Sequence, residues 1–252
     1  MGRRRPRYAI VLLAVWAGIS AHVAASQSGP TDAQLQQTVE HKIANLKPGT
    51  PISASVEGHI VALDGTVSTL RMKRRLIDAV RQTAGVERVD STIQIARAEN
   101  DQQLAAAVSR VLQRYPRMTV YDYVNGVVRD GVVRLTGSVT DDVKHKEITE
   151  RIESIPGVQD LDAQIGIPPV SQMDDQIRFA IARQIYGRNG LTNYSRALPP
   201  VRILVDHGRV TLVGVVNSQV ERQRAELAAR QVSGVFSVEN RLRLDSEMPP
   251  ER

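Results

Sequence analysis

The 252-residue chain contains no cysteine. This absence excludes disulfide bonds, thiol nucleophiles, cysteine-ligated zinc and the lipid-modified cysteine of a lipoprotein leader. It does not identify the compartment, because an oxidising envelope permits disulfides without requiring them.

Motifs that carry catalytic chemistry are also missing. The sequence has no Gly-x-Ser-x-Gly or Ser-x-x-Lys nucleophile motif and no glycine-rich phosphate loop. None of its five histidines has the i, i+4 partner and glutamate of a zinc protease. The acid pairs Asp141-Asp142 and Asp174-Asp175 precede predicted helices, where capping and the helix macrodipole explain them. We therefore predict no catalytic residue, no metal site and no cofactor.

The apolar run near the N-terminus is too short to cross a membrane. It extends from Tyr8 to Ile19, 12 residues, whereas a spanning helix needs about 20. Basic residues precede it, and small residues at Val23 and Ala25 follow. Residues 1–25 thus have the pattern of a secretory signal peptide cleaved after Ala25, with an uncleaved anchor as the alternative. Either form predicts export to the periplasm, which argues against nucleic acid as a partner.

Three pairs of glycines recur at one spacing. The pairs are Gly65 and Gly85, Gly137 and Gly157, and Gly214 and Gly234, each 20 residues apart. A strand-like alternation precedes the first glycine of each pair, and a helical pattern separates the two. A closing alternation, seen at Ile93/Ile95, Ile165/Ile167 and Leu242/Leu244, begins 8 residues after the second glycine. Three identical spacings indicate three copies of one module.

The copies span residues 32–96, 101–167 and 174–244, and we expect the polar segment 245–252 to be a disordered tail. Each copy has the order helix, strand, strand, helix, strand. The predicted fold class is α+β: three tandem αββαβ modules, each with two helices on one face of a small three-stranded mixed sheet. Modules of about 65 to 72 residues are marginal alone, so we expect docking between them.

Local signals refine this prediction. Asp32 is a plausible N-cap of the first helix, and Val120 to Val128 alternates as the first strand of the second module. The glycine after each second helix is predicted to occupy the C′ position in left-handed conformation, where a Cβ is penalised.

The third module carries the fullest motif, Gly208-x-Val210-x-Leu212-x-Gly214-x-Val216 and then Gly234-Val235-x-x-Val238-x-Asn240. This pattern resembles the BON domain. The first module departs from it, with His59 at the turn glycine and Ser91 at the asparagine. The second has Leu161 and Ala163 at the later valine and asparagine positions.

The resemblance implies a non-enzymatic αββαβ module of the bacterial envelope, often found in tandem and suspected of contacting phospholipid. Members include osmotic-stress periplasmic proteins, so the resemblance also implies a role in envelope maintenance or stress. The motif residues are mostly glycines and core aliphatics. They therefore define the fold and do not define a ligand site.

Basic residues supply the remaining candidate site. Of the net charge of +6, four units come from the arginines of the leader, so only two remain from Ser26 onward. Arg71, Lys73, Arg74 and Arg75 nevertheless cluster at the start of a predicted helix, where the macrodipole disfavours cations. Such a cluster suits an anionic lipid surface, and we add Arg202 and Arg209 of the third module as lipid-binding candidates. The alternative is a solvated face with acidic side chains nearby.

Three functions compete. The leading hypothesis is a non-catalytic periplasmic protein whose tandem modules bind anionic phospholipid or another envelope surface. The second is a scaffold that holds other envelope proteins, or further copies of itself, along its sheet edges. An enzyme acting on envelope polymers has the least support, because the sequence shows no repeated or clustered titratable set.

Overall fold

The computed structural model describes residues 29–98, 100–187, 191 and 199–247. The predicted signal peptide, residues 1–25, lies outside this range. The described residues form three successive α+β modules, as predicted.

The three modules have the same order of elements. The first comprises α1 (Asp32–Leu46), β1 (Ile52–Glu57), β2 (Ile60–Val67), α2 (Leu70–Arg81), β3 (Arg88–Ser91) and a two-residue β4 (Gln94–Ile95). The second comprises α3 (Asp101–Gln113), β5 (Tyr123–Arg129), β6 (Val132–Ser138), α4 (Asp142–Glu153) and β7 (Asp160–Gly166). The third comprises α5 (Gln172–Tyr186), β8 (Val201–Asp206), β9 (Arg209–Val216), α6 (Gln219–Arg230) and β10 (Ser237–Leu244).

The segment expected to be a disordered tail begins with regular structure. Asp245–Glu247 form a 3-10 turn directly after β10. The expectation is therefore wrong for these three residues, and the rest of that segment lies outside the described range.

Each sheet is mixed, with its second strand in the centre. In the third module β9 pairs antiparallel with β8 and parallel with β10, so Val210 lies between Val205 and Val238. The apolar residues of alternate positions point to the helices, where Val205, Val210 and Leu212 are fully buried. The other face carries mostly polar or exposed side chains. This alternation is the period-two pattern of a half-buried sheet.

One aspartate ties the hairpin of each module to its first helix. The two oxygens of Asp174 accept hydrogen bonds from the amides of His207 and Gly208, at 2.9 and 2.8 Å. Asp32 and Asp101 do the same for the hairpin turns of the first and second modules. The N-cap prediction for Asp32 is wrong, because the caps of α1, α3 and α5 are Thr31, Asn100 and Ser171.

The glycine in the centre of each sheet is required by close packing. A Cβ on Gly214 would lie 1.9 Å from the backbone oxygen of Pro200, and one on Gly137 would lie 2.0 Å from that of Tyr123. The second glycine of each pair also has positive φ, with values of 93°, 90° and 88° at Gly85, Gly157 and Gly234. These three are not C′ residues, however: the helices have C-caps at Gln82, Ser154 and Gln231, three residues earlier.

Asn240, the last residue of the family motif, joins β10 to α6. Its side-chain amide donates to the backbone oxygen of Arg222 and to Glu226, at 3.0 Å each, and its oxygen accepts the amide of Leu242. These contacts give the motif asparagine a structural role.

The modules dock on one another. The buried side chains of the first two modules form one continuous hydrophobic cluster, whereas the third module has its own. Val120, predicted to begin a strand, lies instead in a turn before β5. Its backbone oxygen accepts the amide of Ile203 at 2.9 Å, so this residue of the second module caps the β8 edge of the third.

Candidate functional site: an arginine groove between the first two modules

The predicted basic cluster lies at the start of α2, but half of it faces the second module. Arg71 pairs with Glu150 at 2.9 Å, and Arg74 pairs with Glu153 and, at 3.6 Å, with Asp160. The acids on α4 and β7 thus neutralise cations that lie at an unfavourable helix end. These two arginines join modules, a role that the sequence did not suggest.

The other predicted lipid-binding residues are dispersed. The side chains of Lys73 and Arg75 have no ion pair or hydrogen bond among the described residues. Arg202 donates to the backbone oxygen of Thr119 at 3.1 Å, and burial lowers its pKa despite the nearby Tyr186 and Asp122. Arg209 is exposed at the start of β9. The structure therefore brings together only Arg71, Lys73, Arg74 and Arg75 of the six predicted residues.

A groove next to Arg71 gathers cations that sequence analysis missed. Its volume is about 470 Å³, and it lies between α2, α3 and α4. The lining residues are Arg71, Arg110, Arg114 and Arg151 around Ala107, Val111 and Ser154. We call this set the arginine groove.

Most of the groove's positive charge is not neutralised. Arg110, Arg114 and Arg151 are exposed and have no ion pair to any described residue. Only Arg71 has an acidic partner, Glu150. Three free guanidinium groups around an apolar floor provide both parts of a site for an anionic amphiphile.

Tyr115 contacts one arginine of the groove. The guanidinium of Arg151 lies 5.5 Å from the centre of its ring, within the range of a cation–π interaction. The hydroxyl of Tyr115 donates to Glu147 at 2.7 Å. Burial and this bond to Glu147 raise the pKa of Tyr115 to about 12, so the phenol stays neutral at physiological pH.

Helix electrostatics alone does not account for the groove. Arg110 and Arg151 lie in the last turns of α3 and α4, and Arg114 is the C-cap of α3, where the macrodipole favours cations. That preference explains a cation at each helix end. It does not explain why arginines of both helices line one apolar floor on which, within the described residues, only Arg71 has an acidic partner.

Sequence analysis missed these arginines because the second module has more acidic than basic residues. A local signal was nevertheless present. Arg110 and Arg114 are an i, i+4 pair on one helix, and neither has an acid three or four residues away on α3. Arg151 joins them only through the packing of α3 on α4.

Residues 29–98, 100–187, 191 and 199–247 contain neither a candidate metal site nor a candidate membrane-spanning helix. This range contains no group of three His, Cys, Asp or Glu side chains that could hold a metal ion. Nor does it contain a helix of the length and apolarity needed to pass through a bilayer.

The fold and the groove define a tandem α+β repeat protein with a cationic surface site. The chain belongs to the BON domain family, whose profile matches residues 31–97, 100–169 and 174–246. Three matches confirm the tandem repeat predicted from the glycine spacing. Membership supports an envelope-associated, non-catalytic role.

Comparison with other proteins adds little. No curated protein matches the chain. Among solved structures, CdsD, a structural protein of the Type III secretion system of Chlamydia trachomatis, is 16% identical, with 82% of this chain and 92% of that chain covered and a TM-score of 0.25. Its C-terminal domain gives 16% identity, 87% and 100% coverage and a TM-score of 0.26. TM-scores this low do not support an inference about the fold or function of this chain.

Proposed function

We propose that the protein is a non-catalytic periplasmic protein that binds the anionic phospholipid surface of the envelope, in envelope maintenance or stress. The arginine groove is the proposed contact. The observation that carries the proposal is the set of three unpaired arginines, Arg110, Arg114 and Arg151, around Ala107 and Val111. A phosphate or phosphoglycerol headgroup supplies the missing anion, and the apolar floor suits the adjoining glycerol and acyl carbons.

Charge removal at the groove tests this proposal. The variant Arg110→Gln/Arg114→Gln/Arg151→Gln removes three cations without breaking an ion pair within the described residues. At about 1 kcal/mol per basic residue near an anionic surface, its affinity for vesicles falls by about two orders of magnitude. Co-sedimentation with phosphatidylglycerol-containing vesicles at low salt measures the loss.

A matched control separates the groove from net charge. Arg129, Arg224 and Arg243 are also exposed and without ion pairs in the described part of the chain. Their triple replacement by Gln changes the net charge equally, so its vesicle affinity stays well above that of the groove variant. Equal losses in both variants would assign binding to net charge. Equal recovery of the unmodified protein on neutral and anionic vesicles would remove the lipid proposal.

A scaffold is the second candidate function, and one contact favours it. The β8 edge already accepts a segment from another module through the bond from Ile203 to Val120. Strand edges such as β5 and β10 could bind an extended segment of another protein in the same way. Cross-linking in an envelope extract tests this function, which requires a stoichiometric partner or a defined oligomer. A monomer that cross-links to nothing would exclude it.

A further inference from the structure

Three large apolar side chains project from one end of the third module. Val170 precedes α5, Met173 lies in its first turn, and Phe236 lies between α6 and β10; they are 96%, 60% and 79% exposed. We call these three residues the apolar tip. Large apolar side chains left exposed at one end of a module are a mark of an interaction surface.

Two residues of the tip, Met173 and Phe236, lie near the turn between β8 and β9. The amide of Phe236 donates to the backbone oxygen of Gly208, in that turn, at 2.8 Å. A Cβ built on Gly208 lies 3.7 Å from the Cβ of Phe236, and one built on Gly234 lies 3.7 Å from the sulfur of Met173. Both side chains therefore border the same hairpin end of the module.

The repeat shows that the fold does not require apolar residues here. Glu87 and Gln159 make the same amide bond to the hairpin turns of the first and second modules that Phe236 makes in the third. Met173 directly precedes the hairpin-binding aspartate, a position occupied by Thr31 and Asn100 in the other modules. The same backbone thus accepts polar residues at the position of Phe236. Met173 lies within the first turn of its helix, whereas Thr31 and Asn100 are N-caps, and the third module alone has Met and Phe at these sequence positions.

A free cation lies beside the tip. Arg209 is the register partner of Ser237, next to Phe236, and no ion pair or hydrogen bond engages its side chain in the described residues. The acids of this end have other contacts: Asp206 with the ring of His207 at 2.7 Å, and Asp174 with the hairpin amides. An aromatic side chain next to an unpaired arginine is complementary to the headgroup region of an anionic membrane.

We propose that the apolar tip inserts into the anionic lipid surface, which gives the third module a membrane contact separate from the arginine groove. This inference rests on the proposed function. The three side chains project from a linker, a helix start and a loop, and their exposure leaves them free to enter the headgroup region. Arg209 then remains at the level of the phosphates.

A single tryptophan tests insertion directly. Trp16 is the only tryptophan of the sequence, so a chain that starts at Ser26 has none, and it keeps all residues of both hydrophobic clusters. In this chain, Phe236→Trp reports the environment of the tip. With vesicles of equal parts phosphatidylglycerol and phosphatidylcholine, we expect its emission to shift to shorter wavelength and to be quenched by acyl-brominated lipid.

Val220→Trp is the matched control. Val220 is 56% exposed and lies at the opposite end of α6 from the tip, so its emission should not change on the same vesicles. In addition, Phe236→Gln installs the residue of the second module. We expect it to weaken vesicle binding by about tenfold, because part of a phenylalanine's apolar surface no longer leaves water.

The outcomes separate this inference from the proposed function. Vesicle binding without a spectral shift at position 236 would overturn the proposed insertion of the apolar tip and leave the arginine groove as the membrane contact. A chain that binds no anionic vesicle would overturn both. A shift that grows with protein concentration in the absence of vesicles would assign the tip to self-association and overturn its insertion into lipid.

Discussion

The ammonium of Lys144 lies 2.8 Å from an oxygen of Asp122, and both side chains are buried in the second module. Asp122 also accepts the amide and hydroxyl of Thr119 and those of Thr140. The pair thereby holds the turn before β5. Since Val120 in this turn binds the β8 edge, a buried ion pair supports the contact between the second and third modules.

Replacement of Lys144 by Met should destabilise the protein strongly. The change leaves the Asp122 carboxylate buried without its cation, and breaking such a pair from one side costs about 3 to 5 kcal/mol. Urea unfolding monitored by circular dichroism measures the loss. Lys146→Met is the control, because Lys146 is exposed and unpaired among the described residues; a comparable loss there would contradict the assignment.

The same pair predicts a dependence of stability on pH. Burial raises the pKa of Asp122, but hydrogen bonds from Lys144, Thr119 and Thr140 outweigh it and hold the pKa below 3.8, its ordinary value. The ionised group therefore stabilises the folded state at neutral pH, and this contribution is lost as pH falls below about 4. The difference in unfolding free energy between the unmodified protein and Asp122→Asn should be largest at pH 7 and shrink towards pH 3. A constant difference would show that Asp122 does not titrate in this way.

The aspartate ties should differ in strength between modules. Asp174→Ala leaves the amides of His207 and Gly208 without acceptors in a buried setting, which costs about 1 to 3 kcal/mol for each unsatisfied group. Asp101→Ala removes the same two bonds at a more exposed turn, where water replaces them. Thermal unfolding should therefore show a larger loss for Asp174→Ala. The reverse order would mean that burial does not set the strength of the tie.

The sequence predicts the modules well because their determinants are local and repeated. The central glycines are examples: Gly214 is needed because a side chain would collide with the backbone at Pro200, and this demand recurs in each copy. The aspartate ties were missed because they join residues 26 to 34 positions apart. Nothing in the helical pattern distinguishes such an aspartate from a cap.

The arginine groove was missed for a different reason. Helical periodicity indicates which face of α3 carries Arg110 and Arg114, but not which helix packs beside that face. The position of Arg151 beside them depends on the docking of α3, α4 and α2, which the spacing of residues within one module does not determine. For the same reason, the sequence predicts lipid contact for Arg71 and Arg74 and does not indicate their acidic partners in the second module.

A charge reversal at Arg74 distinguishes a contact between modules from a contact with lipid. Its partner Glu153 is only 10% exposed at the side chain, whereas Arg74 is 45% exposed. Arg74→Glu places a third acid beside Glu153 and Asp160 and should weaken the docking of the first two modules by about 1 kcal/mol, the scale of a partly exposed ion pair. Glu153→Arg should do the same by placing a cation beside Arg74.

The reversed pair should recover part of this loss, because Arg74→Glu/Glu153→Arg restores opposite charges across the junction. A double-mutant cycle from urea unfolding then gives a coupling energy of about 1 kcal/mol. Vesicle binding of the reversed pair should match that of the unmodified protein, since Arg74 acts between modules. Unchanged stability in both single variants, together with lost vesicle binding in Arg74→Glu, would return Arg74 to the lipid-binding surface.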